Sequence, residues 1–463
     1  MLDSLCLTYR LSVLKLLLFL ILSVHTRDNL AMPKNTPYSL PKDSKAWQQA
    51  VDSVAALLPS GTSLSDFDAL QSLPVFALIV VLPAHVPALD IHNYVQSWVD
   101  EQPSWHLVTV AEDAEANFIE VDVNVATSDA AANAQTQDTT QSAFVPAQVF
   151  RYLLVPATDT LMHPAKKVAA AHIIDDQLTT RLRRDLAQHY TDNQSTGNQS
   201  TDNQSTGNQS SENESTDNES TGNEVTPSLD SENLVDCHIL SIGHMLRTHK
   251  LACFDMDSTL IEQEVIVELA KTAGIGAEVE AITEAAMRGE IDFDESFARR
   301  VALLEGIPTT VLDEICARLK ISTGAHTTIT ALKALGYHTI LVSGGFTYFA
   351  DYVAERLGID EVHANFLDIE EGEVTGHIQL PIVNGDKKAA IVQQTAERLG
   401  IEMTQVVCVG DGANDLPMMA LADLGVAYNA KPIVQARADA AVNVTGLEGV
   451  LYALGYPELS PVS

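Results

Sequence analysis

The chain has 463 residues, 46% hydrophobic and 19% charged, with a formal net charge of −35. That length suits two or three domains with sizeable cores. The acidic balance excludes nucleic acid as a partner, because phosphate backbones need clustered Lys and Arg, and it requires any anionic small molecule to be attracted locally by a metal, Lys or Arg.

The first apolar run is Leu11 to Val24, LSVLKLLLFLILSV. It is shorter than the ~20 residues of a spanning helix, and no A-x-A cleavage pattern precedes His25, Thr26 and Arg27. Residues 1–31 therefore read as an anchor, a signal-like segment or an extension upstream of a start at Met32. The five cysteines (Cys6, Cys237, Cys253, Cys316, Cys408) are odd in number and show no CxxC spacing. Reduced thiols and a cytoplasmic location follow as the expectation. A membrane contact enters only if residues 11–24 are retained as an anchor.

Residues 46–190 read as an α/β module. Strands are expected at Val75–Leu82, Trp105–Val110, Phe118–Val125 and Val149–Val155, with helices at Ile91–Val99 and Ala165–Tyr190. This order is compatible with a small ligand-sensing or dimerisation unit, and no constellation in it carries chemistry. Arg181, Arg183 and Arg184 read as a solvated helix face.

Thr191 to Val225 is a pentad repeat, beginning TDNQS, TGNQS and ending TDNES, TGNEV. It has no aromatic or aliphatic residue before Val225, so it cannot bury surface to offset its chain entropy. Residues 191–230 are expected to be a disordered linker, leaving the two halves as separate bodies. The N-x-S words in the first six pentads read as a by-product of the repeated polar text.

From about residue 240 to 456, strands and helices alternate: strand Leu251–Phe254, a helix-rich stretch Glu264–Ile321, strand His338–Val342, helix Tyr348–Leu357, a hairpin-like stretch Asn365–Ile378, helix Lys387–Leu399, strand Gln405–Val409 and a last helix Leu416–Ala422. Such alternation predicts an α/β, doubly wound parallel sheet. The helical stretch inserted after the first strand, at about 264–325, would sit over the crevice as a cap.

Four signals fall at strand or helix ends. LACF runs into Asp255 and Asp257, followed by Ser258 and Thr259. ILVSGG ends a strand in Ser343, Gly344 and Gly345; Lys388 opens a helix after Asn384-Gly385; VVCVGDGAND ends a strand in Asp411 and Asp415. Ligand crevices in open α/β sheets lie outside the carboxyl ends of the strands. Paired acids there suit a nucleophile, an acid/base and a magnesium ion on one phosphate. Gly410-x-Gly412 lacks the third glycine of a dinucleotide fingerprint.

DMDST at Asp255–Thr259, Ser343-Gly344-Gly345, Lys388 and GDGAND at Gly410–Asp415 resemble the four motifs of the haloacid-dehalogenase-like (HAD) phosphatases. The longer text DMDSTLIEQE, EAAMRGEIDFDESFARRVALL, VSGGF and VGDGANDLPM is most similar to the phosphoserine-cleaving members. The resemblance spans about Leu251 to Gly446 and leaves the first 230 or so residues uncovered. It implies an enzyme that hydrolyses O-phospho-L-serine to L-serine and phosphate, the last step of serine biosynthesis, through an aspartyl-phosphate on Asp255. Asp257 matches the general acid and base. Mg2+ is implied on the Asp255 carboxylate, the Asp257 main-chain carbonyl and Asp411, with Asp415 close by. Ser343, Gly344 and Lys388 match phosphate-binding positions, and Asn414 matches one that lines the site. Glu264 matches the position that meets the substrate amine, Arg300 the one that meets its carboxylate, and Met287 and Phe293 an apolar lid. Two alternatives stay open: a related phosphatase or phosphotransferase acting on another small ester such as phosphohomoserine, and a binding protein whose N-terminal module is the main actor. A homodimer is compatible with either.

Overall fold

A computed structural model of the chain describes residues 45–58, 74–86, 90–102, 105–110, 120–121, 144–156, 170–197, 234–456 and 460–461. The apolar run at 11–24, most of the strand expected at Phe118–Val125 and the repeat beyond residue 197 lie outside them. Among the described residues no helix is long and apolar enough to cross a membrane. The described cysteines Cys237, Cys253, Cys316 and Cys408 are free thiols.

The N-terminal module contains helix α1 (Lys45–Leu57), strand β1 (Phe76–Pro83), helix α2 (Ile91–Glu101), strands β2 (Trp105–Thr109) and β3 (Ala147–Pro156), helix α3 (Thr180–Gly197) and strand β4 (Asp236–Ser241). A π-helical turn, Ile174–Thr179, leads into α3. The strands form one antiparallel sheet in the order β2-β3-β1-β4, the split β-α-β arrangement of ferredoxin-like modules. β1 is buried along its whole length, because both faces of the sheet are covered. Phe76, Leu78, Val80 and Leu82 pack with Val95 and Trp98 of α2 and Leu182 and Leu186 of α3. Ile79 and Val81 face the opposite way, into a core shared with Trp47 of α1 and Val442, Val450, Leu451 and Tyr452 near the C-terminus.

Two expectations are corrected here. α3 runs to Gly197, so the first pentad and part of the second continue a helix where a linker was expected. The halves are also not separate bodies. β4 follows the repeat in sequence yet pairs with β1 before it, Val81 opposite Asp236 through Phe76 opposite Ser241. The composition of the repeat says nothing about the apolar surfaces on either side of it, and those surfaces bring the halves together.

The second half begins with β5 (Leu251–Phe254), followed by the cap helices α4 (Val265–Ala273), α5 (Gly276–Met287), α6 (Phe293–Ala302) and α7 (Thr309–Arg318). Then come α8 (Ala325–Ala334), β6 (His338–Phe346), α9 (Thr347–Leu357), β7 (Glu361–Asn365), hairpin strands β8 (Leu367–Glu370) and β9 (Glu373–Ile378), and α10 (Gly385–Leu399). β10 (Val406–Gly410), α11 (Leu416–Leu421), β11 (Leu424–Tyr428), β12 (Ala440–Val442) and α12 (Gly449–Ala453) complete it. Six strands form a parallel sheet in the order β12-β11-β10-β5-β6-β7. β11 and β12 lie beyond the last helix that the sequence predicts, Leu416–Ala422. β12 has three residues, too short for a periodic signal.

β5 is the strand from which the order turns. Later strands extend through β6 and β7 on one side and through β10 to β12 on the other. The crevice at that switch point opens at the carboxyl ends of β5 and β10. The cap leaves and rejoins the core there through two short segments that hold each other: Glu262 N–H donates to Lys320 O at 3.0 Å and Ser322 N–H to Leu260 O at 2.9 Å, around an antiparallel bridge between Ile261 and Ile321.

Candidate active site

β5 ends in Asp255, whose backbone N–H donates to Val409 O of β10 at 3.0 Å. The register that pairs Phe254 with Val409 therefore sets the first acid beside the GDGAND turn. Lys388 sits in the first turn of α10, where Asn384 caps the helix by accepting from Lys387 N–H at 3.0 Å. The Lys388 side chain is fully buried, and its Nζ donates to Asp255 Oδ1 and to Asp415 Oδ1, each at 2.7 Å. Asp415 Oδ2 also accepts from Gly412 N–H at 3.0 Å. A Cβ at Gly410 would fall 2.5 Å from the Asp415 carboxyl carbon, so only glycine lets this carboxylate fold back over the strand end.

The sequence-predicted residues divide into groups. Asp255, Asp411 and Asp415 each present a carboxylate oxygen within 4.8 Å of the others. Asp415 enters the cluster fully, where the motif placed it only close by. The Asp257 side chain lies apart from the three, at the cap side: its Oδ1 accepts from Val265 N–H at 3.2 Å, and a Cβ at Gly345 would approach its Oδ2 to 3.1 Å. Ser343 is buried, with its Oγ accepting from Gly345 N–H at 2.9 Å. Gly344 lies against Phe293 of α6, since a Cβ there would be 3.7 Å from Phe293 Cζ. Phe293 stacks on Phe297, with ring centroids 6.3 Å apart, and Phe297 meets Phe346 of β6 at 5.7 Å. Glu264 accepts from Ser258 Oγ at 3.2 Å. Arg300 is half-buried in α6, and its Nε donates to Ser296 O at 3.3 Å. Asn414 is half-buried in the turn, its Oδ1 close over Gly412. The Met287 side chain lies outside the described residues.

Burial and neighbouring charges shift the carboxylates to different extents. Desolvation, then the charges of Glu264 and Asp255, push the Asp257 carboxyl well above the usual range. Burial and Asp415 raise Asp255 to about 7 against the pull of Lys388. Burial and Asp415 also raise Asp411 to about 6, opposed by Lys431 and Lys388. Burial alone would lower the Lys388 ammonium, but Asp255 and Asp415 hold it charged, above its ordinary value. One lysine among these acids leaves the cluster short of positive charge. Hard carboxylate oxygens so grouped suit a divalent cation such as Mg2+.

Sequence reasoning missed Asn365. Buried at the end of β7, its Nδ2 donates to Gly344 O at 2.8 Å and its Oδ1 accepts from Val383 N–H at 2.8 Å. It ties the Ser-Gly-Gly turn to the loop leading into the lysine helix. An asparagine at a strand end carries no local signal for that long-range role. A 460 Å³ hollow lined by Asp294, Ile382, Asn384 and Lys387 flanks this loop, where Asn384 Nδ2 donates to Asp294 Oδ1 of the cap at 3.0 Å.

The family profile for "Hydrolase: haloacid dehalogenase-like hydrolase" matches residues 249–423. The chain is 47% identical over 211 residues to "Phosphoserine phosphatase" of Archaeoglobus fulgidus, covering 46% of this chain and 61% of that one; it thus spans about three fifths of that relative's length. It is 46% identical over 215 residues to the protein of the same name from Idiomarina loihiensis, covering 98% of it. The solved structure of a HAD-family hydrolase from Salmonella enterica serovar Typhi, 24% identical, superposes with a TM-score of 0.54 over 82% of this chain and 98% of that one. Its fold therefore extends over the N-terminal module as well as the parallel-sheet half. The chain belongs to the haloacid-dehalogenase-like hydrolases, in the family of the phosphoserine phosphatases.

Proposed function

We propose that the chain is a phosphoserine phosphatase, hydrolysing O-phospho-L-serine to L-serine and phosphate in the cytoplasm. The observation that carries the reading is the buried Asp255–Lys388–Asp415 array beside Asp411, set at the sheet's switch point under a cap that supplies Glu264 and Arg300. Asp255 attacks phosphorus, the bond from phosphorus to the serine oxygen breaks, and Asp257 delivers its proton to that oxygen. Its raised pKa keeps the Asp257 proton in place until then. Asp257, now ionised, takes a proton from water, which attacks the aspartyl-phosphate and frees the Asp255 carboxylate. Ser343, the Gly344 amide and Lys388 hold the phosphoryl oxygens, where their donors and charge match a transition state spread over three oxygens. Asn414 lines the same pocket, and Phe293 closes it against water.

Asp255, Asp411 and Asp415, with the Asp257 main-chain carbonyl, would hold Mg2+. When bound, the ion supplies positive charge that offsets the acids and the phosphoryl group. Burial lowers the Arg300 guanidinium, and the Glu264 charge opposes that shift. A zwitterionic amino-acid substrate fits between them: ammonium to Glu264, carboxylate to the planar fork of Arg300.

Side-by-side turnover of phosphoserine, phosphothreonine and phosphohomoserine with Mg2+ tests the reading. Phosphoserine is expected to lead in kcat/KM by at least about tenfold. Preference for phosphohomoserine, or transfer to an acceptor other than water, would establish the rival substrate.

A further inference from the structure

Polar contacts at three places help to dock the N-terminal module on the second half. Asp236 of β4 accepts from Asn443 N–H at 2.8 Å and Val444 N–H at 3.1 Å. Trp47 Nε1 and Arg151 both donate to Gly455 O, at 3.3 and 3.4 Å. Val145 N–H, at the entry to β3, donates to Glu448 Oε1 at 2.8 Å. The first two contacts end on the C-terminal segment. The third leads toward the cap.

Glu448 is fully buried. Its Oε1 also accepts from Gly446 N–H at 3.0 Å, while its Oε2 has no hydrogen-bond partner among the described residues. That oxygen presses on the loop by which the cap rejoins the core: a Cβ at Gly324 would fall 1.6 Å from it, and Gly324 sits at φ +78°, a conformation glycine alone adopts freely. Leu447 N–H donates to Thr323 O at 2.8 Å, one residue before Gly324. Ser322, next again, donates to Leu260 O in the segment by which the cap leaves. Asp257 lies three residues before Leu260. A short run of contacts thus joins the module to both cap segments and to Asp257, with one carboxylate at its centre.

We propose that Glu448 is a positioning residue that couples the docked N-terminal module to the cap's return segment, holding the cap where Glu264 and Arg300 meet the substrate. The proposal rests on the phosphatase reading for its kinetic consequence and not for its structural one. If the return segment loosens, the cap samples positions in which Glu264 and Arg300 stand away from the phosphate site. Ground-state binding then weakens more than the chemistry carried by Asp255 and Asp257.

The test compares the full-length wild type with Glu448→Gln, Glu448→Ala and Glu448→Met. Gln keeps the acceptor oxygen, and Met fills the volume without accepting, so Met carries the test if the alanine variant does not fold. Ala and Met are expected to raise KM for phosphoserine about tenfold while kcat stays within about twofold, with Gln close to wild type. Hydrogen exchange at the Glu262 and Ser322 amides should quicken in Ala and Met and not in Gln. A fall in kcat at unchanged KM, as simple loss of folded enzyme would give, overturns the proposal; so do unchanged exchange at both amides and equal behaviour of Gln and Met. If the wild type leaves phosphoserine intact, the functional reading fails, and the exchange measurement still decides this one.

Discussion

At the scale of single residues, the site is a buried charge problem that Lys388 solves. Two carboxylates, Asp255 and Asp415, share its ammonium at 2.7 Å in a fully buried setting. Removing one partner of a buried ion pair costs about 3–5 kcal/mol, because the remaining charge is left uncompensated. Lys388→Met should therefore lower stability by roughly that amount as well as abolish turnover, which chemical denaturation and a phosphate-release assay would separate. Asp255→Asn is the contrasting case. It removes the proposed nucleophile but keeps the shape and one acceptor oxygen for Lys388, so turnover should fall below a few per cent while the unfolding midpoint shifts little. Retained turnover, with deamidation excluded, would move the nucleophile elsewhere.

At the scale of elements, the acids depend on how tightly strand ends can turn. Gly410 closes β10 with the Asp415 carboxyl folded over its α-carbon. Gly410→Ala would force Asp415 away from Lys388 or shift the turn that carries Asp411. Activity is expected to fall at least about a hundredfold with the sheet intact, since a misplacement of ~1 Å near the chemistry costs that much. Circular dichroism with a kinetic assay separates lost geometry from lost fold. Asn365 acts at the same scale from the other side, and Asn365→Ala would leave Gly344 O and Val383 N–H without their partner.

At the scale of the molecule, one sheet closes across the repeat. Protease should cut the polar pentads first, yet the cut chain should elute as one species. β4 lies after the cut and pairs with β1 before it, and both sides share a core containing Trp47, Leu153, Val450 and Tyr452. A fragment starting at about residue 242 would expose Val442, Val450 and Leu451, each worth about 1.5–3 kcal/mol when buried, against a net stability of about 5–15 kcal/mol. It is expected to aggregate, and monomeric, fully active fragment on size exclusion would refute that. The junction should also respond to pH. Burial raises Glu448 from 4.5 to about 7, so the carboxyl is preferred neutral in the folded state. Its contribution is fully present below 4.5 and is lost as pH rises through about 7. Unfolding midpoints of the wild type should therefore drop relative to Glu448→Gln across that window.

The chemistry-bearing half is legible in local sequence pattern. An apolar strand ending in DxD, a strand ending in Ser-Gly-Gly, a helix-opening lysine and a strand ending in GDGAND are local patterns, and a parallel sheet places every strand end on one edge. That they share one edge follows from alternation; that β5 and β10 lie side by side is a matter of strand order. Other features depend on contacts that local pattern cannot encode. Asp415 joins the acids only because Gly410 lets it fold back, and Asn365 matters only through atoms 18 and 21 residues away in sequence. The polar repeat between the halves implied separation, because composition reports what a segment cannot bury and is silent about what its neighbours can. β4 returns to β1 because an antiparallel edge and two apolar faces were waiting for it, and only the packed chain shows those surfaces meeting.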